Sequence, residues 1–84
     1  MPVLHGIRIP RTRSNGERLC RLADRLENYI NEQVTASDEQ FNLFAYGEVA
    51  IQLSVSREEI KELLRRVGGG RNGITVVKRP LTDL

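Results

Sequence analysis

Tyr46-Gly47-Glu48-Val49-Ala50-Ile51-Gln52-Leu53-Ser54-Val55-Ser56-Arg57-Glu58-Glu59-Ile60-Lys61-Glu62-Leu63-Leu64-Arg65-Arg66-Val67 sets its small and apolar residues at the spacing of two short helices crossing around a tight turn. Ala50 offers a small side chain where two helix axes must approach. Leu53 and Val55 bracket the turn, and Ile60, Leu63 and Val67 recur at helical spacing to face back onto them. Ser56 with Glu59 is a capping box, in which the hydroxyl accepts a backbone N–H and the carboxylate reaches back to the cap residue's own N–H. The second helix is therefore predicted from about Arg57 to Val67.

Beyond Val67 stand Gly68-Gly69-Gly70, which continue a helix only at a cost, then Arg71-Asn72-Gly73 and the β-branched run Ile74-Thr75-Val76-Val77. A helix stops there and a strand begins. Asn72-Gly73 is a favoured pair for a tight hairpin because both residues tolerate positive φ, so the segment reads as a short, glycine-bent wing.

Helix, turn, helix, basic loop and β-strand together resemble the winged helix-turn-helix superfamily. Glu48-Val49-Ala50, Leu53, Val55-Ser56, Ile60 and Leu63 stand at the matching positions, and the match runs from about Phe41 to Val77. The resemblance implies a mainly α domain of three helices with a small β-hairpin or wing. It also implies a role: the second helix of the motif enters the DNA major groove, and the wing, about Gly69 to Gly73, touches a neighbouring phosphate or the minor groove. Phe41-Asn42-Leu43-Phe44-Ala45-Tyr46 holds three of the four aromatics and suits either a helical turn or a short strand. The winged architecture favours a strand at Leu43–Ala45 pairing with Ile74–Val77. One residue departs from the pattern, since many members of the superfamily carry Gly at the turn where this chain has Ser54. A left-handed serine costs roughly 1 kcal/mol, so a longer or differently shaped turn is expected there.

Outward from this core, residues 14–79 are expected to form the domain, with 1–13 a basic N-terminal arm and 80–84 a short tail. The arm alternates weakly around Gly6 and Pro10 and reads as extended or disordered, either a solvated tail or a basic arm lying along a DNA backbone or groove. Ser14 and Glu17 make a second capping box. After it, Leu19, Leu22, Ala23, Leu26, Ile30 and Val34 share one face, which predicts an amphipathic helix from about Asn15 to Gln33. Its apolar stripe covers the small core, and its surplus length supports a dimer contact as the alternative. Arg18, Arg21 and Arg25 fall on or beside its polar side and read as a solvated face. Thr35-Ala36-Ser37-Asp38-Glu39 reads as a loop.

The formal net charge of +2 conceals a division. Residues 1–25 carry six Arg against Glu17 and Asp24; residues 26–62 carry Arg57 and Lys61 against eight acids; residues 63–84 carry five bases against Asp83. Both ends are basic and the middle is acidic, so a nucleic-acid footprint requires the two ends to meet in space. Cys20 and His5 are the only residues of their kinds, too few for a disulfide or a zinc site, and Cys20 reads as a partly buried small residue beside the apolar stripe. The glycine run follows a helix where a nucleotide loop would precede one, and no Gly-Lys-Ser or Gly-Lys-Thr accompanies it. No catalytic constellation, cofactor or metal is expected. With no apolar run near the roughly 18 residues of a membrane span, no signal-peptide core and no lipidation pattern, a cytoplasmic location is expected.

The outward face of the second helix of the motif, Arg57, Glu58, Lys61, Glu62 and Arg65, is mixed rather than basic. Arg and Lys pair with guanine edges or phosphates and Glu accepts from cytosine, but Glu58 and Glu59 near the helix start repel phosphate. The expected DNA-binding residues are Arg11, Arg13, Arg57, Lys61, Arg65, Arg66, Arg71 and Asn72. The leading expectation is a winged-helix protein that binds double-stranded DNA, a homodimeric transcriptional regulator, since a module this small has little area for specific binding unless doubled. The alternative is a module of the same fold that meets a protein partner, with double-stranded RNA as a third option. Stacking of bases on Phe41 or Tyr46 stands against a core role for the same aromatics, and their acidic surroundings favour the core.

Overall fold

α1 (Gly16–Ala36), β1 (Phe41–Ala45), α2 (Tyr46–Leu53), α3 (Arg57–Arg65) and β2 (Gly73–Val77) follow one another in the computed structural model, which describes residues 7–9 and 16–78. The protein is mainly α with a small antiparallel β pair. α1 starts one residue later and ends three residues later than its apolar stripe indicates. Thr35 and Ala36 stay helical past Val34 although both are exposed, and the helix closes where the Ser37 N–H donates to the Val34 carbonyl at 3.2 Å.

Leu22, Ala23, Leu26, Ile30 and Val34 of α1 form one wall of the core. Tyr46, Val49, Ala50 and Leu53 of α2, Ile60, Leu63 and Leu64 of α3, and Phe44, Ile74 and Val76 of the sheet close against it. Cys20 is half-buried at the margin of the apolar stripe. Tyr29 meets Phe44 edge-on, with ring centroids 6.5 Å apart. None of the described helices is long and apolar enough to cross a membrane.

The sheet forms across the helix pair, because α2 and α3 lie between its two strands in the chain. Its register sets Phe41 opposite Val77, Leu43 opposite Thr75, Phe44 opposite Ile74 and Ala45 opposite Gly73. The observed strand is longer than the expected Leu43–Ala45, and the pairing continues past both ends. The Lys78 N–H donates to the Gln40 carbonyl at 2.8 Å, and the Tyr46 N–H donates to the Asn72 carbonyl at 3.0 Å. Period-two alternation turns Phe44, Ile74 and Val76 inward and leaves Phe41 (67% exposed), Leu43 (75%) and Val77 (43%) on the outer face.

The turn between α2 and α3 is short. Ser54 occupies the left-handed region at φ 57°, ψ 46°, its N–H donates to the Ile51 carbonyl, and the Val55 N–H donates to the Ala50 carbonyl at 3.0 Å. This pair of bonds is the Schellman closure, so the serine takes the conformation a glycine would take and the turn is not lengthened. The capping box is formed as expected: Ser56 Oγ accepts from the Glu59 N–H at 3.2 Å and Glu59 Oε1 accepts from the Ser56 N–H at 3.3 Å.

α3 ends at Arg65, two residues before the expected Val67. Tighter three-residue turns carry the chain on, and a second Schellman closure follows: the Gly68 N–H donates to the Arg65 carbonyl and the Gly69 N–H donates to the Leu64 carbonyl. The next reversal centres on Arg71-Asn72, where the Gly70 N–H donates to the Gly73 carbonyl at 2.8 Å. The expected tight turn is thus shifted back by one residue. Asn72 and Gly73 do not use positive φ; the described residues that do are Ser54, Gly16 and Gly68. Gly73 is needed for a different reason, since a Cβ there would strike the Phe44 carbonyl across the strand pair.

At the N-terminal end, Ile7 and Ile9 are fastened to α1 instead of lying free. The Ile7 N–H donates to Asn31 Oδ1 at 2.8 Å, Asn31 Nδ2 donates to the Ile7 carbonyl at 3.2 Å, and the Ile9 N–H donates to Glu27 Oε2. Ile9 is 1% exposed and belongs to the core. Burial of an isoleucine side chain, worth roughly 1.5–3 kcal/mol, explains why this part of the basic arm docks. The rest of the arm, the Ser14 side of the second capping box and the C-terminal tail lie outside the described residues.

Candidate nucleic-acid interface

Arg57, Lys61 and Arg65 succeed one another at steps of four on α3, so each is displaced from the last by about 40° and all three share one side of the helix. Arg57 and Arg65 are exposed and Lys61 is half-exposed. The helix is held at this angle by Ile60, Leu63 and Leu64, which are completely buried against α1 and α2. Exposure of the basic stripe is a consequence of that burial.

The acids of α3 are arranged less evenly than the sequence implies. Glu59 is turned away from solvent, its side chain only 17% exposed, with Oε1 in the capping box and Oε2 2.7 Å from Arg18 Nη2 of α1. That second contact is an ion pair whose angle is not that of a hydrogen bond. Glu62 pairs with Arg66, with 3.6 Å between Oε2 and Nη2. Among the described residues, ion pairs engage Glu59 and Glu62 but not Arg57, Glu58, Lys61 or Arg65. Of the two acids near the helix start, Glu59 is thus paired and turned from solvent while Glu58 is exposed.

Of the other expected contact residues, Arg66 lies half a helix circumference from Arg57 and keeps company with Glu62, so it does not extend the stripe. Arg71 and Asn72 form the exposed tip of the reversal between α3 and β2. The Asn72 carbonyl accepts from the Tyr46 N–H, and the residue is exposed. Arg11 and Arg13 lie outside the described residues.

Tyr46 is fully buried, and its hydroxyl donates to the Gly70 carbonyl at 2.6 Å. It is thereby a core residue that ties the start of α2 to the wing, not a platform for a base. Phe41, by contrast, is exposed on the outer face of the sheet with Leu43 and Val77.

Arg18, Arg21 and Arg25, read from the sequence as a solvated face, line a cleft of about 250 Å³ between α1 and the α2–α3 turn, together with Leu22, Val55 and Glu59. Each has a defined partner: Arg18 has Glu59, Arg21 has Glu17 at 2.5 Å, and Arg25 Nη2 donates to the Leu53 carbonyl at 2.8 Å. The last bond places a cation on a terminal carbonyl of α2, where the helix dipole is negative. The spacing of three and four between these arginines was the available signal, because it puts them in one row on the helix. None of the family models, curated proteins or solved structures compared with the chain matches it.

Proposed function

We propose that the chain is a winged-helix DNA-binding protein, a cytoplasmic transcriptional regulator that acts as a homodimer, with α3 entering the major groove and the Arg71-Asn72 tip touching a neighbouring phosphate or the minor groove. The observation that carries this reading is the stripe of exposed Arg57 and Arg65 and half-exposed Lys61 on α3, free of ion pairs among the described residues while Glu59 and Glu62 are drawn into pairs of their own. Arg and Lys side chains on such a stripe reach guanine N7 and O6 or backbone phosphates. A second copy supplies the second half-site that a module of this size needs for specific binding. The reading involves no catalysis and no cofactor.

The test is a titration of the folded protein against random-sequence duplex at about 50 and 200 mM salt. Binding should weaken steeply, with a slope corresponding to roughly 4–6 released counterions per monomer. Absence of binding at about 50 mM by a folded sample ends the reading.

A second reading, a module of the same fold that meets a protein partner, is favoured by one observation. Phe41 and Leu43 stand exposed beside Val77 on a sheet face whose other members, Thr75, Ala45 and Gly73, are uncharged. A contiguous apolar patch of that kind marks a contact surface. Sedimentation separates the two uses: self-association lost on replacing Phe41 and Leu43 by serine assigns the face to a homodimer, whereas a monomer that binds no duplex favours the protein-partner reading.

A further inference from the structure

The row Arg18, Arg21 and Arg25 is a concentration of charge that the α3 stripe does not use. α1 brings it beside the turn that opens α3, and the cleft there has an apolar floor of Leu22 and Val55. Arg18 and Arg21 have side chains 79% and 76% exposed; the Arg21–Glu17 pair is a surface ion pair of small worth that a stronger anion can replace, whereas Arg18 meets a Glu59 carboxylate only 17% exposed and keeps the outer edge of its guanidinium in solvent. Arg25 differs, because its bond to the Leu53 carbonyl fixes its guanidinium without neutralising it. Three guanidinium groups against two carboxylates leave the cleft with an excess positive charge. Planar guanidinium groups take phosphate oxygens two at a time, a geometry lysine cannot supply.

Resting on the DNA-binding reading above, we propose that this cleft seats a backbone phosphate of the bound duplex, taken by Arg21 in exchange for Glu17 and by the solvent-facing edge of the Arg18 guanidinium, with Arg25 as the fixed charge behind them. α1 thereby grips the strand on the Glu59 side of α3, while Arg57, Lys61 and Arg65 face the groove on the other. The contact positions the duplex and reads no sequence. Glu59 keeps its capping bonds through Oε1 and its ion pair with Arg18 through Oε2.

The test has two arms. In the first, the salt slope of duplex binding is compared between the parent and the Arg18→Ala/Arg21→Ala protein, with folding checked by circular dichroism. The slope should fall by about 2, equally for unrelated sequences, and Arg18→Lys/Arg21→Lys should keep the slope while binding more weakly. In the second, the parent is treated with phenylglyoxal with and without duplex, and modification at each arginine is read by mass spectrometry. Duplex should protect Arg18 and Arg21. A parent that binds duplex with unchanged slope in the double alanine variant, or with Arg18 and Arg21 modified at the same rate in the complex, overturns the cleft assignment and leaves the α3 reading standing. A folded parent that binds no duplex overturns both.

Discussion

The two helices of the central motif end in the same hydrogen-bonded closure made from opposite residue types. α2 ends through Ser54 and Val55, α3 through Gly68 and Gly69, and in each case the two N–H groups donate back to carbonyls three and five residues earlier. The first residue of each pair has positive φ, 57° at Ser54 and 103° at Gly68. At α2 this is the whole requirement. Ser54 is exposed, and Val55, the second residue, packs its side chain against the core. At α3 the second residue also has to have no side chain, because a Cβ on Gly69 would collide with the Tyr46 hydroxyl and the Leu64 carbonyl. A conformational cost near 1 kcal/mol is tolerable on a serine, whereas a steric conflict with a buried, hydrogen-bonded tyrosine has no cheap escape.

The largest effect in this comparison belongs to Gly69→Ala. To make room, Tyr46 must give up its bond to the Gly70 carbonyl in a fully buried site or the wing must shift, and the expected loss is about 2–3 kcal/mol by denaturant titration. If stability is unchanged, the close packing of the wing on Tyr46 is wrong.

Next comes Ala50→Leu, which tests the helix crossing itself. Ala50 is 5% exposed and its carbonyl receives the Val55 N–H, so extra methylenes should cost roughly 1–3 kcal/mol and lower the melting temperature sharply. Glu48, exposed on the same helix, provides the control and should tolerate alanine within about 0.5 kcal/mol. The reverse order of effects would mean that α2 presents the opposite face to the core.

Ser54→Gly should have a smaller effect and the opposite sign. Removing the Cβ from a left-handed residue should stabilise the domain by about 0.5–1 kcal/mol, less the extra freedom gained by the unfolded chain. A measured destabilisation would show that the serine side chain contributes something beyond its φ. Arg71→Ala/Asn72→Ala at the tip of the second turn should leave stability within about 0.5 kcal/mol while weakening duplex binding similarly across sequences. Unchanged affinity with a lower melting temperature would make the tip structural.

The comparison also explains which parts of the fold could be read in the chain. The capping box at Ser56–Glu59 and the stripe Leu22, Leu26, Ile30 and Val34 depend on local spacing, and the boundaries they set agree with the structure to within a few residues. Gly69 and Gly73 are different, because the need for them arises from Tyr46 and from the Phe44 carbonyl, residues far away in the sequence. The sequence marked them only as a helix breaker and a turn, which put the reversal one residue too late. The same limit applied to charge. Helical spacing places Arg57, Glu58, Lys61, Glu62 and Arg65 on one outward face, but the pairing of Glu59 with Arg18 links residues 41 apart and is invisible to local pattern. Arg18, Arg21 and Arg25 are exposed as their place on the polar side of α1 indicates, and the structure adds the partners that local spacing does not show. Docking of Ile9 likewise depends on Glu27 and the α1 wall, 18 residues and more away, and the weak alternation of the arm does not mark it.

The central claim is that the stripe on α3, free of ion pairs among the described residues, is the surface that meets DNA, and the salt dependence of binding by the Arg57→Ala/Lys61→Ala/Arg65→Ala protein tests it most directly. All three side chains lie outside the buried core, so the variant should fold like the parent. Fluorescence anisotropy with a labelled duplex between about 50 and 200 mM salt should then show the slope reduced by about 3, with affinity at low salt reduced at least about tenfold. A folded variant that keeps the parent's slope and affinity would contradict the claim and remove α3 from the interface.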